Sequence, residues 1–387
     1  MDFLDLPWFL IFTSLAKTIF LIFLVVLPMV SYTVYAERRV SALIQDRTGP
    51  NRTGFPLSLV GFKNDWSPFL GGLGQPVADA VKFLLKEDFV PNHVNKLYFW
   101  LAPTLAMMPA IITLAVVPFG SEFLGVKMVV ADINVGLLFM FAISSISVYG
   151  IVLAGWSSNS KYPFLGGIRS TSQMISYELC MGLSAVPVLL IAGSTSLGGI
   201  VNYQVGNGWM IIPFTDGALS LREILLWVPI VLALITFTIS MFAETNRLPF
   251  DLPESETELV AGYHTEYSSM KFALFFLGEY TAMIAGSALI VVLFFGGWHL
   301  PFIPYLKANV VTGGFEFLHA IPGWIWGIVN ISAFFGKVAV LLFVFIWVRW
   351  TLPRFRYDQL MKLGWYYLFE IALVNIFLTA GILAFTK

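Results

Sequence analysis

The sequence predicts an all-α integral membrane protein, a single polytopic domain over 1–387. It has about eight transmembrane helices and one interfacial amphipathic helix, with both termini on the periplasmic or intermembrane-space side. Three observations predict this. The hydrophobic fraction is 58% with only 12% charged residues, and mean hydropathy is +0.82; a soluble chain of this length needs more charge to cover its surface. Apolar runs of about 20 residues recur along the chain. The cations are divided unevenly between alternate loops.

The spans fall at roughly 9–35, 98–117, 133–154, 174–192, 224–242, 272–295, 325–348 and 366–385. Pro28, Pro103, Pro109, Pro187 and Pro229 lie inside them, where proline frees a carbonyl and invites a kink that neighbouring helices or water satisfy. The first run is too long for a cleavable signal. Of the 22 Lys and Arg residues, sixteen sit in the loops after spans one, three, five and seven; Lys127, Arg222, Lys307 and Lys387 lie on the other side. That asymmetry puts the odd-numbered loops in the cytoplasm or matrix.

The first of those loops, 37–96, contains GLGQPVADAVKFLLKED at 72–88. At 100° per residue Val77, Val81, Leu84 and Leu85 share one face, opposite Asp79, Lys82 and Lys86. This suits a helix lying in the interface; a solvated helix packed on the protein's own loops is the alternative. The stretch 55–71 mixes Pro, Gly and aromatics and reads as a loop or re-entrant piece.

The third such loop, 243–271, is acidic. Glu244, Asp251, Glu254, Glu256, Glu258 and Glu266 stand against one early cation, Arg247. Pro249 and Pro253 keep its first half out of a helix, and a short helix follows. Leu248, Phe250, Leu252, Leu259 and Val260 interleave with the acids and pull the loop onto the protein. A solvated connector is the bland reading. Lys17, Glu178, Glu279, Lys337 and Glu370 fall inside spans, where a charge costs roughly 2.5–3.5 kcal/mol on insertion scales, so each is a functional candidate. Glu178, Glu279 and Glu370 lie four to seven residues from one end of their spans, in a layer beneath the acidic loop. Together they predict a proton path; singly, each acid is equally a hydrogen-bonded helix tie.

Other chemistry is thin. Net charge of −1 gives no argument for nucleic acid. The lone Cys180 forms no intramolecular disulfide and cannot hold an iron–sulfur cluster. The four histidines are scattered, so no metal site is read, and any electron carriers belong to other chains.

The segments GLGQPVADAVKFLLKE (72–87) and ETNRLPFDLPESETELVAGYHTEYSSMKFALFFLGEY (244–280) closely resemble the signature regions of the H/ND1-type membrane subunit of respiratory complex I. ERRVSALIQDRTGPNRTG (37–54) and IRSTSQMISYE (168–178) also look like that family. The resemblance covers nearly the whole chain. It implies a subunit of a proton-pumping NADH:quinone oxidoreductase, a translocase in a bacterial inner membrane; a mitochondrial inner membrane reads the same way. The family's quinone tunnel and the start of its proton path are formed here, with no redox centre or catalytic residue in this chain. Quinone is the substrate; NADH, FMN and iron–sulfur clusters belong to partner subunits, in the hydrophilic arm and the adjoining small membrane subunits. Carried over by motif, the chamber and coupling loop comprise Arg38, Arg47, Arg52, Glu244, Arg247, Asp251, Glu254, Glu256 and Glu258. The proton path comprises Glu178 and Glu279, with Lys337 and Glu370 as further candidates. The sequence departs from the family in a longer 55–71 and in Ser255, where Ala or Gly is usual. The rival readings are the homologous subunit of a proton-pumping hydrogenase or ferredoxin-linked complex, a stand-alone cation or proton transporter, and a pure scaffold. Quinone photolabelling, transport by the isolated chain, and quinone turnover after loop substitutions separate them.

Overall fold

A computed structural model describes residues 7–51, 53, 72–123, 125–212, 221–253, 256–300, 306–307, 310–311 and 323–386. Among these, eight helices are long and apolar enough to cross a membrane, as the hydropathy predicts. Span one joins α1 (Pro7–Ile19) through a π-helical stretch (Phe20–Val26) to α2 (Leu27–Ile44). α3 (Gln75–Leu85) is the amphipathic helix, and α4 (Lys96–Leu114) is span two. Span three is broken at Ser145 into α5 (Gly136–Ser144) and α6 (Ile146–Ser157). α7 (Lys161–Ala192) is span four, followed by the short α8 (Leu197–Asn207). α9 (Leu221–Glu244), α11 (Ser269–Phe294) and α12 (Gly323–Thr351) are spans five to seven, with the single-turn α10 (Glu256–Leu259) in the acidic loop. Span eight runs from α13 (Tyr357–Lys362) through a second π-helical stretch (Leu363–Leu368) into α14 (Phe369–Phe385). Two short antiparallel pairs join the described helices: β1 (Glu122–Phe123) with β2 (Val126–Lys127), and β3 (Leu306–Lys307) with β4 (Val310–Val311). The segment 55–71 and Ser255 lie outside the described residues.

α11 is the hub. In its most apolar stretch 78% of residues are buried inside the protein, against 22–50% for the other spans. A helix apolar all round belongs in the middle of a bundle, and the other spans keep an outward face for lipid. Small residues set how closely they approach it and one another. A methyl group on Gly150 of α6 would come 2.5 Å from the backbone nitrogen of Ala106 on α4.

Three boundaries differ from the hydropathy reading. α7 begins at Lys161 rather than near 174, because Pro163 lies in the first turn, where its missing N–H is not needed. This gives a 32-residue helix, about 48 Å long, whose first turns overhang toward the acidic loop. There Gly166 lies against Gly262, Tyr263 and Pro253. Span eight starts at Tyr357 rather than 366, joined to α7 by Tyr177 Oη donating to the Leu360 carbonyl (2.8 Å) and Trp365 Nε1 to Ser176 Oγ (3.1 Å). Span one extends to Ile44.

α3 is anchored by its polar side. Arg38 pairs with Asp79 at 2.8 Å. Ser269 Oγ donates to the carbonyls of Phe83 (3.0 Å) and Lys86 (2.9 Å), and Lys271 pairs with Asp88 at 2.8 Å. Val77, Val81, Leu84 and Leu85 face outward and are exposed, as the periodicity predicts.

The close crossing of α4 and α6 is open to test. Gly150→Val should lower stability by about 1–3 kcal/mol through overpacking. A thermal-unfolding midpoint of the purified assembly equal to wild type would refute the close approach.

Candidate functional site

α9 stops at Glu244 because Asn246 takes a left-handed conformation (φ 49°), which asparagine tolerates at a helix end. The backbone N–H groups of Asn246 and Arg247 then return to the carbonyls of Ala243 and Phe242. The turn drives Arg247 inward, to 3% exposure. Its Nη1 lies 3.4 Å from Oε2 of Glu37, and its Nε 2.6 Å from Oε1 of Glu279. The Nε–H points off the line to that oxygen, so the second contact is a charge pair rather than an aligned hydrogen bond. The guanidinium stands 4.2 Å from the centroid of the Tyr280 ring, and Tyr280 Oη donates to Glu37 Oε2 at 2.6 Å. Arg349 pairs with the other Glu37 oxygen. The acidic loop and spans one, six and seven thus meet in one buried knot. Burial disfavours the Arg247 charge, but Glu279, Tyr280 and Glu37 outweigh it and hold the group protonated beyond its ordinary range.

The rest of the loop's first half is fastened round this knot. Gln173 Nε2 on α7 donates to the carbonyls of Ala243 (2.8 Å) and Phe250 (2.9 Å) and to Asn246 Oδ1 (3.1 Å). Arg354 pairs with Asp251 at 3.0 Å, and Phe355 N–H donates to the Pro249 carbonyl at 3.0 Å. Phe250, Leu252 and Leu259 are buried, as their interleaving predicts; Val260 is exposed. The solvated-connector reading fails for 245–253. Farther on, exposed Glu258 pairs with Arg169 at 2.7 Å, while Tyr263, His264 and Tyr267 are buried.

Beside the knot lies a cavity of about 90 Å³, measured for the centres of water molecules. Glu244 and Glu279 line its upper part, with Asn246 and Tyr263. Thr113, Met140, Ser144 and Leu289 line it farther along. At about 30 Å³ per water, its share of the liquid, the space holds roughly three waters. Glu244 is buried, and its Oε2 has no hydrogen-bond partner among the described residues; neither has Arg247 Nη2. An acceptor such as Glu244 Oε2, left so at the cavity wall, suits water.

The predicted residues separate into groups. Arg247, Glu244, Glu279 and Asp251 are brought together. Glu178 is half-buried on α7, and the cavity is lined without it. Glu370 is exposed on the outside of span eight and does not join the layer of acids beneath the loop. Lys337 donates to the carbonyls of Phe295 (2.8 Å), Gly297 (2.8 Å) and His299 (2.5 Å), far along α12 from Arg349. Arg38 holds α3, and exposed Arg47 contacts Gln45. Arg52 and Glu254 lie outside the described residues, as does the side chain of Glu256. Glu37, Gln173 and Tyr280 lie in segments that resemble the family but, like Arg349, carry no composition or spacing signal that marks them for this site. Glu37 sits before Arg38 and Arg39 at the end of a span, where charge reads as topology; its partner is 210 positions away.

The NADH dehydrogenase family model matches residues 16–380. The chain belongs to this family. It is 48% identical to an H subunit of the NADH-quinone oxidoreductase of Geobacter metallireducens, over 95% of this chain and 96% of the relative. It is 47% identical to the corresponding H subunit of Rickettsia prowazekii, over 97% and 95%, and to that of Salinibacter ruber, over 95% of both. The family resemblance read from the motifs stands, and with it a multi-pass membrane protein.

Arg247→Met leaves Glu279 as an uncompensated buried charge and Glu37 with Arg349 as its remaining cation, and should cost about 3–5 kcal/mol. A melting point within a degree of wild type would contradict the knot. His264 is enclosed by Tyr263, Phe272, Phe275 and Phe276, and burial pushes its pKa down to about 3. The unfolded chain binds that proton below about pH 6.5 and the folded one does not, so stability is intact above 6.5 and falls as pH drops toward 3. His264→Phe should remove about 2 kcal/mol of that loss at pH 5; an unchanged acid slope would exclude a neutral His264.

Proposed function

We propose that this chain is the membrane subunit of a proton-pumping NADH:quinone oxidoreductase, forming much of the quinone tunnel and the start of the proton path. The observation that carries the reading is the Arg247 knot, which ties the acidic loop to Glu279 on the central helix at the wall of a water-sized cavity. The relatives named above are H subunits of NADH-quinone oxidoreductases, which supports a place in a multi-subunit assembly. In it, NADH, FMN and iron–sulfur clusters are handled by partner subunits of the hydrophilic arm and quinone arrives from the bilayer. The bacterial relatives support a bacterial inner membrane, and the asymmetry of cations supports the acidic loop facing the cytoplasm.

Reducing a quinone to a quinol takes up two electrons and two protons. Charge therefore changes in the chamber during turnover. Two unit charges about 8 Å apart at an effective dielectric near 20 interact by roughly 2 kcal/mol. A change of that size beside the loop redistributes the pairing of Arg247 between Glu37 and Glu279. Glu279 freed from Arg247 takes a proton from the cavity, and Glu279 re-paired releases it. Glu244 is the second acid on that wall; Glu178 behind it sets the local field. Asp251, held by Arg354, fixes the loop; Glu258, with Arg38 and Arg47, faces the tunnel and partner side, and by the family resemblance Glu254, Glu256 and Arg52 share that role. Lys337, bound to three carbonyls, is a structural tie. Glu370, facing outward, has no part in the path within this chain.

Glu279→Gln in the whole enzyme should retain quinone reduction in detergent but lower the protons pumped per quinone reduced in vesicles. An unchanged ratio would sink the proposed coupling.

A further inference from the structure

A second cavity lies at the end of the bundle opposite the acidic loop. It measures about 430 Å³ for the centres of water molecules and is the more polar of the two. Ser121, Glu122, Lys127, Asp132, Ser196 and Asn202 face it, with Lys127 and Asp132 paired at 3.1 Å. The quinone chamber and the coupling loop make no use of it.

The same elements build both cavities, in order. The span-two segment lines the first with Ala106, Ala110 and Thr113, and the second with Val116, Pro118 and Gly120. Span three contributes Met140 and Ser144 to one, then Asp132 and Ile133 just before it to the other. α11 contributes Leu289, and Trp298 follows beyond its end. On span two three positions separate Thr113 from Val116, about 5 Å along the chain axis, and on span three seven separate Ile133 from Met140, about 10 Å. The two cavities therefore stand end to end.

An apolar layer divides them. A methyl on Gly136 would lie 2.9 Å from Val116 Cγ1 and 3.5 Å from Leu197 Cγ, so Val116 and Leu197 close over the same glycine. Val116, Leu137 and Leu197 are each at most 3% exposed and belong, with Met140, to one continuous core. All four side chains are uncharged and carry no carboxyl group. An apolar constriction excludes water and stops protons until it hydrates.

We infer that the two cavities are the halves of a proton route through this chain itself, closed at rest by the layer of Val116, Leu137 and Leu197. Protons gathered at Glu244 and Glu279 leave by the far cavity past Asp132, in addition to any path through neighbouring subunits. This rests on the proton-path reading above for its traffic; the passage itself rests only on the two cavities and the layer between them.

The test uses the whole enzyme in sealed vesicles. Val116→Thr keeps the shape of valine and adds a hydroxyl. It should raise passive proton leak, measured without NADH or quinone, roughly tenfold, which corresponds to a barrier lowered by about 1.4 kcal/mol. Val116→Ile, equally apolar, should stay as tight as wild type. Asp132→Asn should lower the protons delivered per NADH oxidised, with the uncoupled rate of quinone reduction kept. Val116→Thr vesicles as tight as wild type overturn the inference, as does a Val116→Ile leak equal to that of Val116→Thr, which would mean a packing defect. An unchanged proton ratio in Asp132→Asn overturns the working route. The leak is read without turnover, so a failure of quinone coupling leaves it untouched and is seen separately.

Discussion

A guanidinium buried between two carboxylates, at the edge of a bilayer, constrains everything around it. Arg247 cannot shed its charge, and neither Glu37 nor Glu279 can be left unpaired there without a penalty of several kcal/mol. The loop must therefore stay folded against α11, and spans one and seven must bring Glu37 and Arg349 to the same point. Gln173 and Arg354 serve that requirement by holding the backbone and Asp251 on either side of the arginine. Such a pair also balances closely between gain and desolvation cost, so a modest change of nearby charge redistributes it.

The knot sits on the most enclosed helix of the bundle. α11 carries Glu279 at the knot, then Ala282, Ala285, Gly286 and Leu289 along the first cavity, and ends in a loop whose carbonyls receive Lys337. Its first turn also holds α3, through Ser269 and Lys271. One rigid element thus touches the interfacial helix, the charge knot, the cavity and the far end of the bundle. In the proposed enzyme this places quinone chamber and proton path on the same piece of backbone.

Local chemistry made much of this legible in the sequence. Apolar length located the eight spans, and the 100° periodicity of Val77, Val81, Leu84 and Leu85 located the outward face of α3. Excess carboxylate marked the loop, and Glu279 stood out as a charge inside a span. Contacts across the chain were not legible. Glu37 lies 210 positions from Arg247, and nothing near it marks it as buried. The shared layer of Glu178, Glu279 and Glu370 was a statement of depth alone; rotation about each helix axis, which turns Glu370 outward and Glu279 inward, depends on packing partners. The overhang of α7 was hidden because proline at a helix start reads as a break when the start is unknown.

The most direct test of the central claim is the infrared difference spectrum of the whole enzyme between its quinone-bound and quinol-bound states, in the carboxyl C=O region. A proton exchanged at Glu279 gives a carboxyl band that is present in the wild type and absent in Glu279→Gln. A band of equal intensity in both would mean that another carboxyl responds to the quinone, and that the Arg247–Glu279 pair is a structural tie alone.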